Sequence, residues 1–441
     1  MNETYNNFTR FLSLLTARCT RAFPLKLARP AIPPELRSKL SYSRALSFKA
    51  KRTGDMKLKI ESAKVRNDVR RELRLFQQNQ LAKQLSDRNK SVDSARMFWS
   101  KTKKHFRKQT AVLRGFNLSS GQIESDATAM VQLAADYYEK LFEEPSVTRP
   151  HPYTDSPLVL SLENNSPIPD VTYADVLKVV KTRKKKRSCD IHGISSYILN
   201  QLPDNYWHFM VKLYNHSFST YQMPDKFKDV RIILLAKKDA ICPPEQTRPI
   251  SWIDSFLKIQ ERLYLNRLMA ILEDKGLIPE SQSGFLPERR LQTRVLLFLE
   301  QLMSYMSNSS PVATVFVDFK SAFDQLWFAG CLGKLLRMGI SKADIKWIGV
   351  WLYNRRAVVE IAGKRSRWFP IKRGGPQGSC FTRILFITYR SDMEKFLCME
   401  MSFFFADDLA AVIAARTGIR FTEQCIDLER CLNHFFALLE F

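Results

Sequence analysis

Residues 403–412, FFFADDLAAV, set two adjacent aspartates, Asp407 and Asp408, inside an apolar run with no Lys or Arg among its ten residues. Burying one unpaired carboxylate is expensive, and two that repel each other cost more unless a positive charge sits between them. A metal ion would supply that charge. The competing reading is a hairpin, because Asp-Asp is acceptable turn chemistry and 403–405 and 409–413 would make its two strands. Two residues do not decide between these readings, so the rest of the chain has to.

A chain of 441 residues with 45% hydrophobic content can bury a sizeable core in two or three domains. Its formal charge of +25, from 69 Lys+Arg against 44 Asp+Glu, points to a polyanionic partner, nucleic acid ahead of a membrane surface. Most of the excess is local: residues 1–110 hold 27 Lys+Arg and 8 Asp+Glu. The eight cysteines form no CxxC pair, and the six histidines add no zinc-ligand spacing, which reads as reduced thiols in cytoplasm or nucleus. No run of about 18 apolar residues exists, so a membrane span is not expected. Residues 8–29 are basic and acid-free like a mitochondrial presequence, but the basicity continues for another eighty or so residues, which a general basic arm explains better.

The prolines and weak periodicity of residues 1–56 read as a loosely ordered basic lead-in. Residues 57–145 read as a basic helical region. Val65, Val69, Leu73 and Phe76 mark an amphipathic helix over about 57–85, a second basic helix is expected over 94–108, and a third over 126–143. A connecting loop at 146–169 is the expected domain boundary. From residue 170 to 441 helices alternate with strands placed at 230–235, 312–317, 357–361 and 403–405 with its return, an α+β pattern rather than a doubly wound one.

The partner for the opening pair lies in VATVFVDFKSAFD, residues 312–324. A β-branched and aromatic run ends on Asp318, where a strand delivers a side chain to a site at the sheet's end. Asp324 reads as a surface or capping acid on the following helix. Three carboxylates converging from Asp318, Asp407 and Asp408 can hold two Mg²⁺ ions about 3.5–4 Å apart, an arrangement suited to phosphoryl transfer.

In order and spacing, VFVDFKSAFD, RGGPQGSCFTRILF (373–386) and FFADDLA resemble the palm motifs of reverse transcriptases of non-LTR (LINE-type) retrotransposons. SCDIHGI (188–194), VRIILLAKK (230–238), TRPISWIDSFLKIQERL (247–263) and SQSGFLPERR (281–290) resemble the family's fingers motifs. The resemblance implies a right-hand fingers and palm fold, an antiparallel sheet with packed helices, preceded by basic helices. It also implies RNA-directed DNA polymerase activity with Mg²⁺, or Mn²⁺, on an RNA template, a DNA primer and deoxynucleoside triphosphates. Asp318, Asp407 and Asp408 would be catalytic carboxylates and metal ligands, with the carbonyl of Phe319 completing the site. By the same resemblance Lys237 and Arg248 would bind the triphosphate, Phe323 would underlie the incoming sugar and exclude a 2′-hydroxyl, and Gln377 and Gly378 would meet the nucleotide. Arg289, Gly374 and Pro376 would contact template or primer.

The chain departs from the family pattern at Thr382-Arg383 for Ser-Pro, Gly375 for an apolar residue, Leu286 for Arg and Thr247 for Tyr. Its beginning shows no endonuclease-like segment, and Phe441 comes before the hairpin and thumb the family leads one to expect. The reading is therefore a polymerase core, whose unaided extension is expected to be poor. The alternative is a catalytically inactive nucleic-acid-binding remnant, separated from an enzyme by the intact aspartates.

Overall fold

The computed structural model describes residues 1–20, 32–86, 99, 112–118, 120–146, 167–186, 188–396, 401–416 and 418–440. They fall into two compact units, Arg18–Gln109 and a larger one formed by Met1–Ala17 with Thr110–Phe441. The helix expected over 94–108 lies outside the described residues, as does most of the expected loop at 146–169.

Within Arg18–Gln109, α2 (Pro34–Thr53) and α3 (Met56–Ser86) form a helical hairpin. Gly54 stops α2 in the left-handed region at φ 68°, its N–H donating to Ala50, and the Asp55 carboxylate accepts from Lys57 N to start α3. Leu36, Leu46 and Ala50 of α2 are buried with Val69 of α3, while Arg66, Arg70, Arg71 and Arg74 face solvent.

The expectation of a loosely ordered lead-in over 1–56 does not hold: two helices occupy it, and the first, α1 (Asn2–Cys19), belongs to the larger unit. Tyr5, Phe8, Thr9 and Leu12 recur at three, one and three residues, which lines one face of a helix. That face is seated on the core. The Tyr5 ring packs edge-on against Phe227 at 4.9 Å, and its hydroxyl donates to the buried Asp254 carboxylate at 2.7 Å. Burial, then repulsion from Asp190, raises the Asp254 pKa. A hydrogen bond to such a group is worth about 1.5–3 kcal/mol, enough to hold the helix in place despite its basic surroundings.

The larger unit is a mixed α+β body, in which the expected helix over 126–143 appears as α4 (Ala127–Leu141). Asp126 caps it through Ala129 N, and Met130, Val131, Ala134, Ala135 and Tyr138 form its buried stripe. Helices α5 (Tyr173–Thr182), started by a Thr172–Asp175 capping box, α6 (Asp204–Thr220) and α7 (Leu257–Asp274) share the main core.

The resemblance implied an antiparallel sheet; the structure holds one, carrying Asp318 and the Asp407-Asp408 turn, and beside it a second, mixed sheet. Strands β3 (Asp229–Ala236), β4 (Thr247–Trp252), β6 (Arg355–Ile361), β7 (Lys364–Arg365) and β8 (Phe369–Ile371) form the mixed sheet, with β3 and β6 parallel and the other pairs antiparallel. The small ribbon of β1 (Phe116–Asn117) and β2 (Ile123–Glu124) stands apart. Strands β5 (Val312–Asp318), β9 (Met401–Phe405) and β10 (Asp408–Ala414) form an antiparallel sheet in the order β5-β10-β9. Leu409, Ala411 and Ile413 of β10 bury a second cluster with Phe404 and with Phe435 of the last helix, Phe421–Glu440. No helix among the described residues is long and apolar enough to cross a membrane.

Candidate active site

Strands β9 and β10 are joined by a two-residue turn, Ala406-Asp407, in which Ala406 takes φ 65°. The ladder then sets Asp408 directly opposite Asp318 of β5, and Asp407 lies at the turn beside them. Hairpin and carboxylate cluster are thus the same object, and the two readings of the Asp pair do not compete. Asp408 holds its proton more tightly than an ordinary aspartate because of partial burial, then repulsion from Asp407 and Asp318.

The turn is braced by a segment whose local role the sequence did not disclose. Gln282 Oε1 accepts from Ala406 N at 3.0 Å and from Gly284 N at 2.7 Å, while Phe404 exchanges main-chain bonds of 2.9 Å with Ser281 and Ser283. Any side chain at Gly284 would collide with the Ala406 main chain, so only glycine allows this approach. Arg289, expected at template or primer, is exposed and donates to the carbonyl of Gln282 at 2.7 Å, tying down the same segment.

The two expected cations come from the β3–β4 hairpin. Leu235 pairs with Arg248, and Lys237, two residues on, therefore shares their face. Neither Lys237 nor Arg248 makes an ion pair among the described residues. Both line a cavity of about 510 Å³, together with Asp318, Phe319, Phe323, Asp324, Gln377 and Asp407. Tyr137 and Tyr138 of α4 form another wall, and the Tyr138 hydroxyl is bonded to Thr247 at 2.8 Å, so the small residue at 247 is met by a tyrosine from α4.

After β5 the chain bends through Ser321 at φ 53° into a 3₁₀ turn, Ala322–Gln325. Phe323 packs one side on Phe386, ring centroids 4.7 Å apart, and stays half-buried at the cavity wall. Asp324 is not the surface acid expected: it is 4% exposed and accepts from Gln377 Nε2 at 2.7 Å. Burial raises its pKa to about 7, with the Gln377 bond and Lys237 pulling the other way.

Gln377 stands in a segment pinned on both sides. Gly374 N donates to Leu326 O at 2.8 Å and Gly375 N to Phe323 O at 3.0 Å, and the Gln377 carbonyl accepts from Ser251 N of β4 at 2.8 Å. Gly374 and Pro376 are buried, and neither is among the residues that line the cavity. Two departures from the family pattern prove to be one packing unit, because a side chain at Gly375 would strike the Thr382 side chain, whose Oγ1 lies 2.7 Å from where its Cβ would be. Thr382 Oγ1 also donates to Pro376 O at 3.2 Å at the start of the helix Cys380–Tyr389. Gly375→Ala is expected to destabilise the fold by about 1–3 kcal/mol, and Thr382→Ser to recover part of that loss by removing a methyl. Denaturant midpoints of the single and double variants check this, and a fully stable Gly375→Ala contradicts it.

Gly378 faces a second cavity of similar size, lined by Lys178, Arg183, Lys258, Arg262 and Arg383 with no carboxylate among its lining residues. Arg383, standing for the family's proline, also lies over the Phe285 ring at 5.2 Å.

The residues that could contribute to holding a divalent cation are Asp318 and Asp407 in the cavity wall, with Asp408 adjoining on the ladder; among the described residues no group of three or more His, Cys, Asp or Glu is close enough to ligate a metal as it stands. The crowding of these carboxylates and the absence of any ion pair to Asp318 or Asp407 among the described residues fit a cation. Arg390 lies over the Phe319 ring at 3.3 Å and also interacts electrostatically with Asp407.

A profile of the family described as reverse transcriptase (RNA-dependent DNA polymerase) matches residues 235–440, which run from the end of β3 to the last helix. This segment is similar to a reverse transcriptase domain. The matched segment contains every residue assigned above to the carboxylate cluster, the cations and the Gln377 segment. The chain is also 24% identical to the RNA-directed DNA polymerase from mobile element jockey of Drosophila melanogaster, over an alignment covering 98% of this chain and 50% of that protein. It is 23% identical to the probable RNA-directed DNA polymerase from transposon BS of the same fly, over 81% of this chain and 40% of that protein. The chain thus spans half or less of the length of these relatives. Both agree with the resemblance to non-LTR retrotransposon enzymes that the motifs carry.

Proposed function

We propose that the chain is the RNA-directed DNA polymerase core of a LINE-type element and that the cavity between the two sheets is its nucleotidyl-transfer site. The observation that carries the reading is the convergence of Asp318, Asp407, Lys237, Arg248, Phe323 and Gln377, from five separate stretches of sequence, on one cavity. In this reading the three-stranded sheet is the palm and the β3–β4 hairpin belongs to the fingers.

Lys237 and Arg248 hold the triphosphate and offset the negative charge that grows on it during transfer. Phe323 bears on the sugar. The primer 3′-oxygen forms a bond to the α-phosphorus, the bond to the β-phosphate bridge breaks, pyrophosphate leaves, and the 3′-hydroxyl proton is lost. Mg²⁺ held by Asp318 and Asp407, with Asp408 and the Phe319 carbonyl nearby, would supply the Lewis acidity that makes the hydroxyl more acidic and the leaving phosphates more stable. The basic cavity beyond Gly378 and the exposed arginines of α3 suit the backbone of a nucleic acid.

The test is incorporation of deoxy- and ribonucleotides on an RNA template with a DNA primer. The parent chain is expected to prefer deoxynucleotides, and Phe323→Val to lower that preference at least about tenfold by clearing the space beside the 2′ position, a difference of about 1.4 kcal/mol. If the ratio does not move, Phe323 is only a packing residue. If neither nucleotide is incorporated, the polymerase reading fails.

A further inference from the structure

Asp324 is a buried carboxylate that the transfer step does not use. It stands on the 3₁₀ turn rather than on the strands that carry Asp318 and Asp407, and makes no ion pair among the described residues. Its side chain has one hydrogen-bond partner there, Gln377 Nε2 at 2.7 Å. For holding two loops together a neutral asparagine would serve equally well and cost less to bury. What an ionised carboxylate adds is direction, because it can only accept.

The main chain around Gln377 is already fixed, by Ser251 N on its own carbonyl and by the bonds of Gly374 and Gly375 to Leu326 and Phe323. The freedom left to the residue is which end of its amide faces the cavity. With a carboxylate on one side, the NH₂ must turn to it, and the carbonyl oxygen, which has no partner among the described residues, is left for a ligand.

We propose that Asp324 is a positioning residue that locks the Gln377 amide with its oxygen toward the cavity, so that the site selects a ligand offering a hydroxyl donor there, as a nucleotide sugar does. This rests on the nucleotide-binding reading of the cavity. A protonated Asp324 can donate to the amide oxygen instead; the amide then turns and presents NH₂. Because burial brings Asp324 to about 7, the lock holds above neutrality and loosens below it. The charged and titratable groups that line the cavity with Asp324 are Lys237 after β3, Glu245 just before β4 and Arg248 in it, Asp318 at the end of β5 and Lys320 after it, Asp407 of the β9–β10 turn, and Tyr137 and Tyr138 of α4. Both phenols are raised by burial first, and by Asp324 and Glu245 further, so they stay neutral between pH 6 and 8.

Equilibrium titration with Mg²⁺–dTTP tests the proposal on the full chain, using the parent, Asp324→Asn, Gln377→Met and the double variant at pH 8. Asp324→Asn and Gln377→Met are each expected to weaken binding by about tenfold, and the double variant to be no weaker than Gln377→Met alone, since both act through one amide. Lowering the pH from 8 to 6 should weaken the parent more than Gln377→Met. That comparison also subtracts protonation of the triphosphate itself, and needs no variant at 324 should Asp324→Asn fold badly. Additive effects, an Asp324→Asn as tight as the parent, or equal pH responses overturn the proposal. Primer extension run in parallel separates it from the wider reading: coupled binding without extension removes the polymerase and keeps the lock, and extension without coupling does the reverse. No nucleotide binding by the parent removes both.

Discussion

Replacing Asp407 with asparagine is expected to lower Mg²⁺-dependent extension of a DNA primer on RNA by on the order of 10²–10³-fold or more. The amide keeps the shape of the side chain and loses its charge. Among the described residues no hydrogen bond of the hairpin uses that carboxylate, because the turn is held through the Ala406 main chain by Gln282 and through Phe404 by Ser281 and Ser283. The unfolding midpoint and the affinity for RNA should therefore stay near those of the parent, which distinguishes a lost reaction from a lost fold. Asp408 should also titrate more like an ordinary aspartate in this variant, since one of the two charges that repel it is gone. Single-turnover extension and a denaturation curve on the same preparation are the measurements. Undiminished extension would mean that the cavity's carboxylates are not the reacting site.

The second large effect concerns the positive charge of the smaller unit. Arg18–Gln109 holds 26 Lys+Arg against 7 Asp+Glu, and Arg70, Arg71 and Arg74 stand exposed along one stretch of α3. Counterion release makes log affinity fall with log salt by about 0.7–0.9 per phosphate contacted. Changing these three arginines to alanine is expected to flatten that slope by up to about two to three and to weaken binding at low salt by tens- to a thousandfold, equally across sequences. The full chain should be used rather than a deletion of residues 1–110, because that deletion would also remove α1, which belongs to the larger unit and whose Tyr5 is bonded to Asp254 in that unit's core. An unchanged slope would show that these arginines meet something other than phosphate.

The strands that carry the site were readable because β-branched and aromatic residues run unbroken up to a lone acid, as in VATVFVD, or flank the Asp pair. Strand β4 was not, because Pro249 interrupts its pattern; proline is tolerated there since β4 stands at the edge of its sheet and, among the described residues, pairs only with β3. Helix α1 was hidden by the prolines and basic residues that follow it, although its apolar face is plain once Tyr5 and Leu12 are seen buried. Among the residues singled out in the sequence, Asp318, Asp407, Lys237, Arg248, Phe323 and Gln377 line one cavity, whereas Gly374, Pro376 and Arg289 hold main chain in place. Asp324 was misread because its partner is 53 residues away and local pattern says nothing of such a pairing. Gly375 and Thr382 look like two independent departures until their side-chain space is seen to be shared.

The most direct measurement offers each of the four deoxynucleoside triphosphates singly to the 441-residue chain, in excess over a DNA primer annealed to RNA of defined sequence, with Mg²⁺ present. Addition of one nucleotide is expected, the one complementary to the templating base, with a change of nucleotide whenever that base is changed. Addition that ignores the template, or no addition at any enzyme concentration, would contradict it.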